Sequence, residues 1–415
     1  MTAAVLSIGT ELTRGELVNT NASWLAERLT LLGFEVQELR VVDDDVPRIV
    51  EVLKALASKH RVIISTGGLG PTTDDLTTIA AAQALGVGLE RHDPSLDAIR
   101  RRFAKLGREM SKTNEKQADF PIGATVLPNS VGTAPGFAIE LDGARIFFLP
   151  GVPVEMRRIV EDHVEPAIAS LAERTTHQIR LRTFGLPESV VGEKLAGIED
   201  NEPAVTLGYR ASFPEIEVKV LARAGNHAEA EGIARRVAQT VRDRLGDAVF
   251  GETDDTFAGY VGQTLRDRGL TLAIAESCTG GMIGAMVTSV PGSSEYLLLD
   301  AVTYSNAAKH DLLGVDMELM RHHGAVSGEV AGAMAEGALA RADAHLGVAV
   351  TGIAGPGGGT DAKPVGTVWF ALAQRGGPTI TRTMNLPGDR ERIRTLASYV
   401  ALKLVADAAI SRGRS

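Results

Sequence analysis

Cysteine is all but missing from this chain: Cys278 is the single one among 415 residues. One thiol excludes an internal disulfide framework and any cysteine-based zinc site, and it fits a reducing compartment. Basic charge is also scarce. Lysine and arginine total 43 against 52 acidic residues, a net charge of −9, which speaks against a nucleic-acid binder with its concentrated basic face. The one basic cluster, Arg100-Arg101-Arg102, sits in a helix-like stretch and reads as a solvated face. No apolar run approaches the roughly 20 residues of a membrane span. Met1 to Leu12 carry no cationic region and meet Glu11 early, so no secretory leader is expected. Internal repeats and low-complexity tracts are absent as well. These absences together predict a cytoplasmic protein without nucleic-acid or membrane partners.

What is present is a chain long enough for two or three domains, with 45 glycines. Residues 1–172 alternate strand and helix: strand from Ala3 to Ile8, a helix capped by Asn21 with Leu25, Leu29 and Leu32 on one face, strand to Val42, helix from Pro47, and strand from Arg61 to Ser65. That βαβαβ order predicts a mostly parallel sheet with helices on both faces. Asp142-Gly143 joins two apolar runs as a hairpin, and a helix from Val154 to Ala172 closes the unit. Residues 173–252 change character. Ile216, Val218 and Val220 alternate with charges, and Ala228 to Leu245 has a helical period, so this stretch reads as a small α+β module for spacing or dimerisation. Residues 253–415 form a second α/β unit. The expected fold is therefore α/β: two three-layer α/β/α, Rossmann-like domains joined by a small α+β domain.

Two glycine-rich turns carry chemistry. The first, Ser65-Thr66-Gly67-Gly68-Leu69-Gly70-Pro71-Thr72-Thr73-Asp74-Asp75, leaves the carboxyl end of a strand, where open α/β sheets bind ligands. Gly67, Gly68 and Gly70 let backbone N–H groups wrap a phosphate, and Thr72 adds a hydroxyl. Asp74 and Asp75 would repel that phosphate unless a divalent metal sat between them. Alternatively, one of them caps the helix beginning at Leu76. Glu11 and Asn21 follow the first strand, and Pro150, Gly151 and Glu155 follow the hairpin.

The second turn is Ala275-Glu276-Ser277-Cys278-Thr279-Gly280-Gly281, between an apolar strand and a helix. A serine there stands clear of the sheet, and N–H groups near Thr279, Gly280 and Gly281 could hold an oxyanion. Ser277 needs a base. Lys309 qualifies if burial lowers its pKa from the ordinary ~10.4, and His310 is the more conventional choice. Cys278 is a rival nucleophile, with a small buried core residue as the plainer reading. His310, His322 and His323 show no metal-binding spacing with acids. A third glycine loop, with Thr351, Gly352 and Gly355, follows another apolar strand, and Arg390 opens the last helix.

The motifs Gly-Thr-Glu-Leu, Gly-Gly-Leu-Gly-Pro-Thr-Thr-Asp-Asp and Pro-Gly-Val-Pro-Val-Glu-Met resemble the molybdopterin-binding-like domain that opens the competence/damage-inducible CinA family. Ala-Glu-Ser-Cys-Thr-Gly-Gly, Thr-Tyr-Ser-Asn-Ala-Ala-Lys, Gly-Ala-Val-Ser and Thr-Gly-Ile-Ala-Gly-Pro-Gly-Gly resemble its C-terminal domain, which is similar to nicotinamide mononucleotide deamidase. The resemblance covers the whole chain. It implies two activities: divalent-metal-dependent hydrolysis of ADP-ribose to AMP and ribose 5-phosphate, and metal-free hydrolysis of nicotinamide mononucleotide to nicotinate mononucleotide and ammonia. It further implies Ser277 as nucleophile, Lys309 as base, Thr351, Tyr304 and Arg390 as substrate-orienting (Arg392 and Arg394 being near rivals for the arginine), Asp75 ahead of Asp74 at the metal, and a homodimer. Two alternatives stand beside it: a regulatory or scaffold protein that binds nucleotides without turnover, and a molybdenum-cofactor enzyme using the first domain alone.

Overall fold

Strand β1 (Thr2–Ile8) shows why the first sheet lies where it does: Ala3 and Val5 face one core, Ala4, Leu6 and Ile8 the other, and all are buried. Only a strand covered by helices on both sides needs that continuous apolar character. The computed structural model describes residues 1–412. After β1 come α1 (Thr20–Leu31), β2 (Glu35–Val42), α2 (Val46–Ala57), β3 (Val62–Thr66), α3 (Thr77–Leu85), α4 (Asp93–Lys105), β4 (Thr125–Leu127), β5 (Gly136–Leu141), β6 (Ala144–Leu149) and α5 (Pro153–Ile159). The sheet order is β2-β1-β3-β6-β5-β4, parallel through its first four strands and antiparallel beyond. Leu25 and Leu29 of α1 with Met156 and Ile159 of α5 cover one face, and Ile49 and Leu53 of α2 with Ala80 of α3 cover the other. The hairpin turns at Asp142 and Gly143, both at positive φ, as a two-residue connection between twisted strands requires.

Two expectations need correction here. The cap of α1 is Asn19, which accepts the Ala22 N–H at 3.1 Å, whereas Asn21 lies inside the helix. The closing helix is not uniform: α5 passes through a wide π turn at Val160–Val164 and a further turn at Glu165–Ile168. Pro166 has no N–H to continue the ladder.

The middle segment forms β7 (Thr175–Thr183), β8 (Val205–Ser212), β9 (Glu215–Ala224), α6 (His227–Leu245) and β10 (Val249–Glu252), with sheet order β8-β9-β7-β10. Strand β8 escaped the sequence reading because most of its side chains are exposed, so no apolar alternation marks it. By contact density the described residues divide into two compact units, residues 1–178 with 199–206 and 220–237, and residues 179–198 with 207–219 and 238–412.

The C-terminal sheet is built from α7 (Phe257–Arg266), β11 (Leu272–Glu276), α8 (Met282–Thr288), β12 (Leu297–Val302), α9 (Asn306–Leu313), α10 (Met317–His323), α11 (Gly328–Ala342), β13 (Leu346–Gly352), β14 (Thr367–Gln374), β15 (Ile380–Asn385) and α12 (Arg390–Arg412). Its order is β12-β11-β13-β14-β15, parallel across the first three strands. Leu272 and Ile274 of β11 pack toward α7, α8 and α12, and Ala273 and Ala275 toward α11. The chain thus has the α/β class expected, with three-layer units. Among the described residues, no helix is long and apolar enough to cross a membrane.

Candidate active sites

In the N-terminal unit the carboxyl ends of β1, β3 and β6 meet, and the turns leaving them line one cavity of about 600 Å³. Gly67 sits at φ 107, and a Cβ there would run into the Ile8 carbonyl of the neighbouring strand, so only glycine fits. The Gly67 N–H donates to Leu149 O at 3.0 Å, and the Thr66 hydroxyl to Pro150 O at 3.0 Å. Asn21 donates to Gly151 O at 2.7 Å, so it ties α1 to the turn after β6. Glu11, Asn21, Gly67, Gly68, Gly70, Thr72, Asp74, Asp75, Pro150, Gly151 and Glu155 all line this cavity. Tertiary structure gathers the whole predicted set.

Neither Asp74 nor Asp75 caps α3, whose N-cap position is Leu76 without a side-chain bond. Asp75 instead turns back on its own loop, where it accepts the Thr72 N–H at 2.8 Å and the Thr72 hydroxyl. Lys116, absent from the sequence reading, donates to the carbonyls of Thr72 and Asp75 and clamps the loop from outside. Asp44 was missed too. It accepts the N–H and hydroxyl of Thr10 at 2.8 and 2.9 Å and lines the cavity. Its signal was the Asp43-Asp44-Asp45 run directly after a strand adjoining β1.

Five carboxylates therefore line the cavity (Glu11, Asp44, Asp74, Asp75 and Glu155). No three His, Cys, Asp or Glu side chains among the described residues converge as a ready cation cage. The donor set is all oxygen, and it fits a hard cation held by one or two carboxylates with phosphate oxygens completing its shell.

In the C-terminal unit, Ser277 follows β11 and is 9% exposed. The Lys309 ammonium nitrogen, from the first turn of α9, reaches it: Nζ lies 3.2 Å from Ser277 Oγ, 2.7 Å from Thr303 O and 3.4 Å from Tyr304 O. Lys309 is 1% exposed and forms no ion pair among the described residues. Burial pushes its pKa below the ordinary lysine value. Two carbonyls to accept hydrogens and a hydroxyl on the third side suit a neutral amine whose lone pair meets the serine proton. His310 points elsewhere, its Nδ1 2.9 Å from Val315 O, so of the two sequence candidates the lysine is the one within reach. His322 lies 3.7 Å from Glu318 and His323 3.3 Å from Glu329.

Cys278 faces the hydrophobic core, and burial pushes its thiol up to about 11. It is protonated near neutrality and turned from Lys309's partner. Cys278→Ala is expected to keep the rate of any Ser277-dependent hydrolysis within about threefold, measured as ammonia release.

The surrounding residues divide differently from the sequence expectation. The N–H groups of Gly280 and Gly281 are already engaged, with Ser277 O at 3.1 Å and Glu276 Oε2 at 2.9 Å. Among the described residues, no carbonyl or carboxylate accepts those of Cys278 and Thr279, the Cys278 N–H facing only its own thiol. The Thr279 side chain is fully buried, and Thr351 donates its hydroxyl to Ala325 O at 2.8 Å, so Thr351 offers a ligand no donor. Gly352 is required by β14, since a Cβ would press on Thr367 O and Val368. Arg390 bridges the third loop to Tyr304, donating to Gly355 O at 2.7 Å and the Tyr304 hydroxyl at 3.1 Å. Arg394 donates to Thr279 O at 2.6 Å, and Arg392 stacks over Phe213 at 4.5 Å. The three neighbouring arginines therefore have three separate jobs, and Arg390 is the one beside Tyr304.

Residues 4–170 match the family described as "Probable molybdopterin binding domain", 178–251 the "Damage-inducible protein CinA KH domain", and 254–409 the "CinA C-terminal domain". The chain is 44% identical to a CinA-like protein of Geobacter sulfurreducens over 404 residues, 97% of this chain and 98% of that one. It is also 44% identical to a CinA-like protein of Anaeromyxobacter sp. over 404 residues, 97% of each chain. Among solved structures, the competence/damage inducible protein CihA from Agrobacterium tumefaciens is 42% identical, with a TM-score of 0.36, over 37% of this chain and 93% of that one.

Proposed function

The chain belongs to the CinA family, and from that premise we propose that it is a cytoplasmic, homodimeric, bifunctional hydrolase of pyridine-nucleotide fragments. Its C-terminal unit deamidates nicotinamide mononucleotide, and its N-terminal unit splits ADP-ribose to AMP and ribose 5-phosphate. The observation that carries the first activity is the buried lysine amine 3.2 Å from a serine hydroxyl. Lys309 takes the Ser277 proton as Oγ bonds to the carboxamide carbon, and the N–H groups of Cys278 and Thr279 receive the oxyanion. The lysine returns the proton to the nitrogen as the C–N bond breaks and ammonia leaves. Water, deprotonated by Lys309, then attacks the acyl-enzyme, and the Ser277 hydroxyl is restored. Arg390 and Tyr304, at the edge of the site, suit the substrate's phosphate and ring.

In the N-terminal unit, backbone N–H groups of Gly68 to Gly70 hold the diphosphate, since that of Gly67 is spent on Leu149 O, and Asp74, with Glu11 or Asp44, would hold a divalent cation. Such a cation supplies charge neutralisation and a polarised phosphoryl group. Asp75 keeps the loop in shape through Thr72. Asp75→Ala is expected to lower ADP-ribose hydrolysis by about 10²-fold while the far-ultraviolet dichroism is retained. An unchanged, metal-dependent rate would remove Asp75 from the site.

The reading is tested by incubating purified protein with nicotinamide mononucleotide, and separately with ADP-ribose plus Mg²⁺, and assaying ammonia and AMP. A nucleotide-binding regulator predicts binding of both with neither product. Nucleic acid stays outside this proposal. KH modules clamp it with a Gly-x-x-Gly loop, and between residues 178 and 251 no two glycines stand three apart.

A further inference from the structure

Glu276 carries a carboxylate with 0% exposure immediately before the nucleophile, and it makes no ion pair among the described residues. An unpaired buried charge is costly unless hydrogen bonds replace its water. Here both oxygens are used: Oε2 accepts the Gly281 N–H at 2.9 Å and Oε1 the Gly284 N–H at 2.8 Å. The neighbouring strand adds a second carboxyl group. Asp300 on β12 lies opposite Ile274 of β11, and its Oδ2 fills the space where a Cβ on Gly284 would stand, beside the Gly284 N–H that Glu276 accepts. Its Oδ1 is buried without a partner.

We propose that Glu276 is the positioning residue of the nucleophile turn, held by a hydrogen that Asp300 donates to it, so that the N–H groups of Cys278 and Thr279 are the ones left facing the substrate. Three sequence features then share one cause. Position 276 needs an anion, Gly281 at φ 89 aims its N–H back at that anion, and Gly284 leaves room for Asp300. Burial and the Glu276 charge push Asp300 up to about 7, so it keeps its proton up to neutral pH. As it ionises, a second negative charge enters beside Glu276 and the turn loosens.

Cys278 stays a thiol over this range, with Lys309 and Arg394 as the cations near it. Helix α8 carries no titratable side chain. On α11, Glu329 pairs with His323, Glu336 accepts from Thr379, and Arg341 is exposed, as is Glu295 before β12.

The rate arm of the test rests on the deamidase reading; the stability arm does not. Full-length wild type, Asp300→Asn and Glu276→Gln are melted without substrate from pH 5 to 9. Because the folded carboxyl pKa lies above the unfolded value of 3.8, the folded state binds the extra proton, and wild-type stability falls as pH rises towards 7. Asparagine donates the same hydrogen bond without ionising. The midpoint of Asp300→Asn relative to wild type is therefore expected to climb by roughly 3–6 °C between pH 5 and 8. With nicotinamide mononucleotide, wild-type kcat should rise as Lys309 deprotonates and fall as Asp300 ionises. Asp300→Asn should keep the rise and lose the fall at unchanged KM, and Glu276→Gln should lower kcat by about 10²-fold.

Parallel melting curves, a fall at the same pH in Asp300→Asn, or a Glu276→Gln defect confined to KM would overturn the proposal. If Glu276→Gln does not fold, the Asp300→Asn profiles decide. If wild type leaves the mononucleotide intact, the deamidase reading fails, and the same pH profiles are read as labelling of Ser277 by a fluorophosphonate.

Discussion

Lys309→Met is expected to lower nicotinamide mononucleotide hydrolysis by about 10³-fold or more and at the same time to raise the thermal midpoint. Both outcomes follow from one placement. The amine is 1% exposed, 3.2 Å from Ser277 Oγ, and faces two carbonyls but no carboxylate. Burial holds its folded pKa below the ordinary lysine value of 10.5, so the unfolded chain binds the proton more readily. Wild-type stability therefore increases as pH rises from the folded pKa of Lys309 towards its unfolded one, and is lowest where the buried amine must be charged. Methionine fills the same volume without a charge, and it removes that pH dependence along with the base. Ammonia release and melting over a pH series check the two halves separately. A variant that kept full activity would show that some other group takes the serine proton; a variant that melted earlier at neutral pH would show that the lysine is stabilised in place.

Gly67→Ala is expected to destabilise the N-terminal unit by at least about 3 kcal/mol, from a strained φ together with overpacking. Gly67 has φ 107, where L side chains are rarely found, and the new methyl would meet the Ile8 carbonyl. That carbonyl is backbone at the end of β1, which is paired on both sides, so relief must come from the turn itself. The turn is bonded on both sides, through Gly67 N–H to Leu149 O and Thr77 Oγ1 to Gly67 O at 2.9 Å. The expected readout is an early melting transition with ammonia release from the C-terminal site preserved below it. Gly86→Ala, which meets nothing within 4 Å, separates the cost of positive φ from that of the clash; equal losses in the two variants would sink the steric argument.

Much of this was legible in the chain because its signals are local. Apolar runs such as Val62 to Ile64 and Leu272 to Ala275, each followed by glycines, mark strands that end at a ligand-facing turn. Elements without such contrast were missed. Helix α7 buries Phe257, Val261 and Leu265 at helical spacing, but Gly259 and Gly262 lower its helix propensity, and β8 is largely exposed and has no apolar alternation. The Asn21 cap was misread for a related reason: two asparagines stand two residues apart, and only backbone geometry distinguishes the one that bonds Ala22.

By itself the sequence determined the α/β class and the strand-to-helix placement of both glycine turns, because backbone preference and apolar period act over a few residues. It left open which group comes within reach of Ser277, what Asp75 bonds, and what lies against Glu276. Those were decided only when α9 brought Lys309 across 32 residues to Ser277 and β12 laid Asp300 against Glu276. The physical reason is that proton affinity depends on burial and on neighbours in space, and neither quantity is carried by any short stretch of chain.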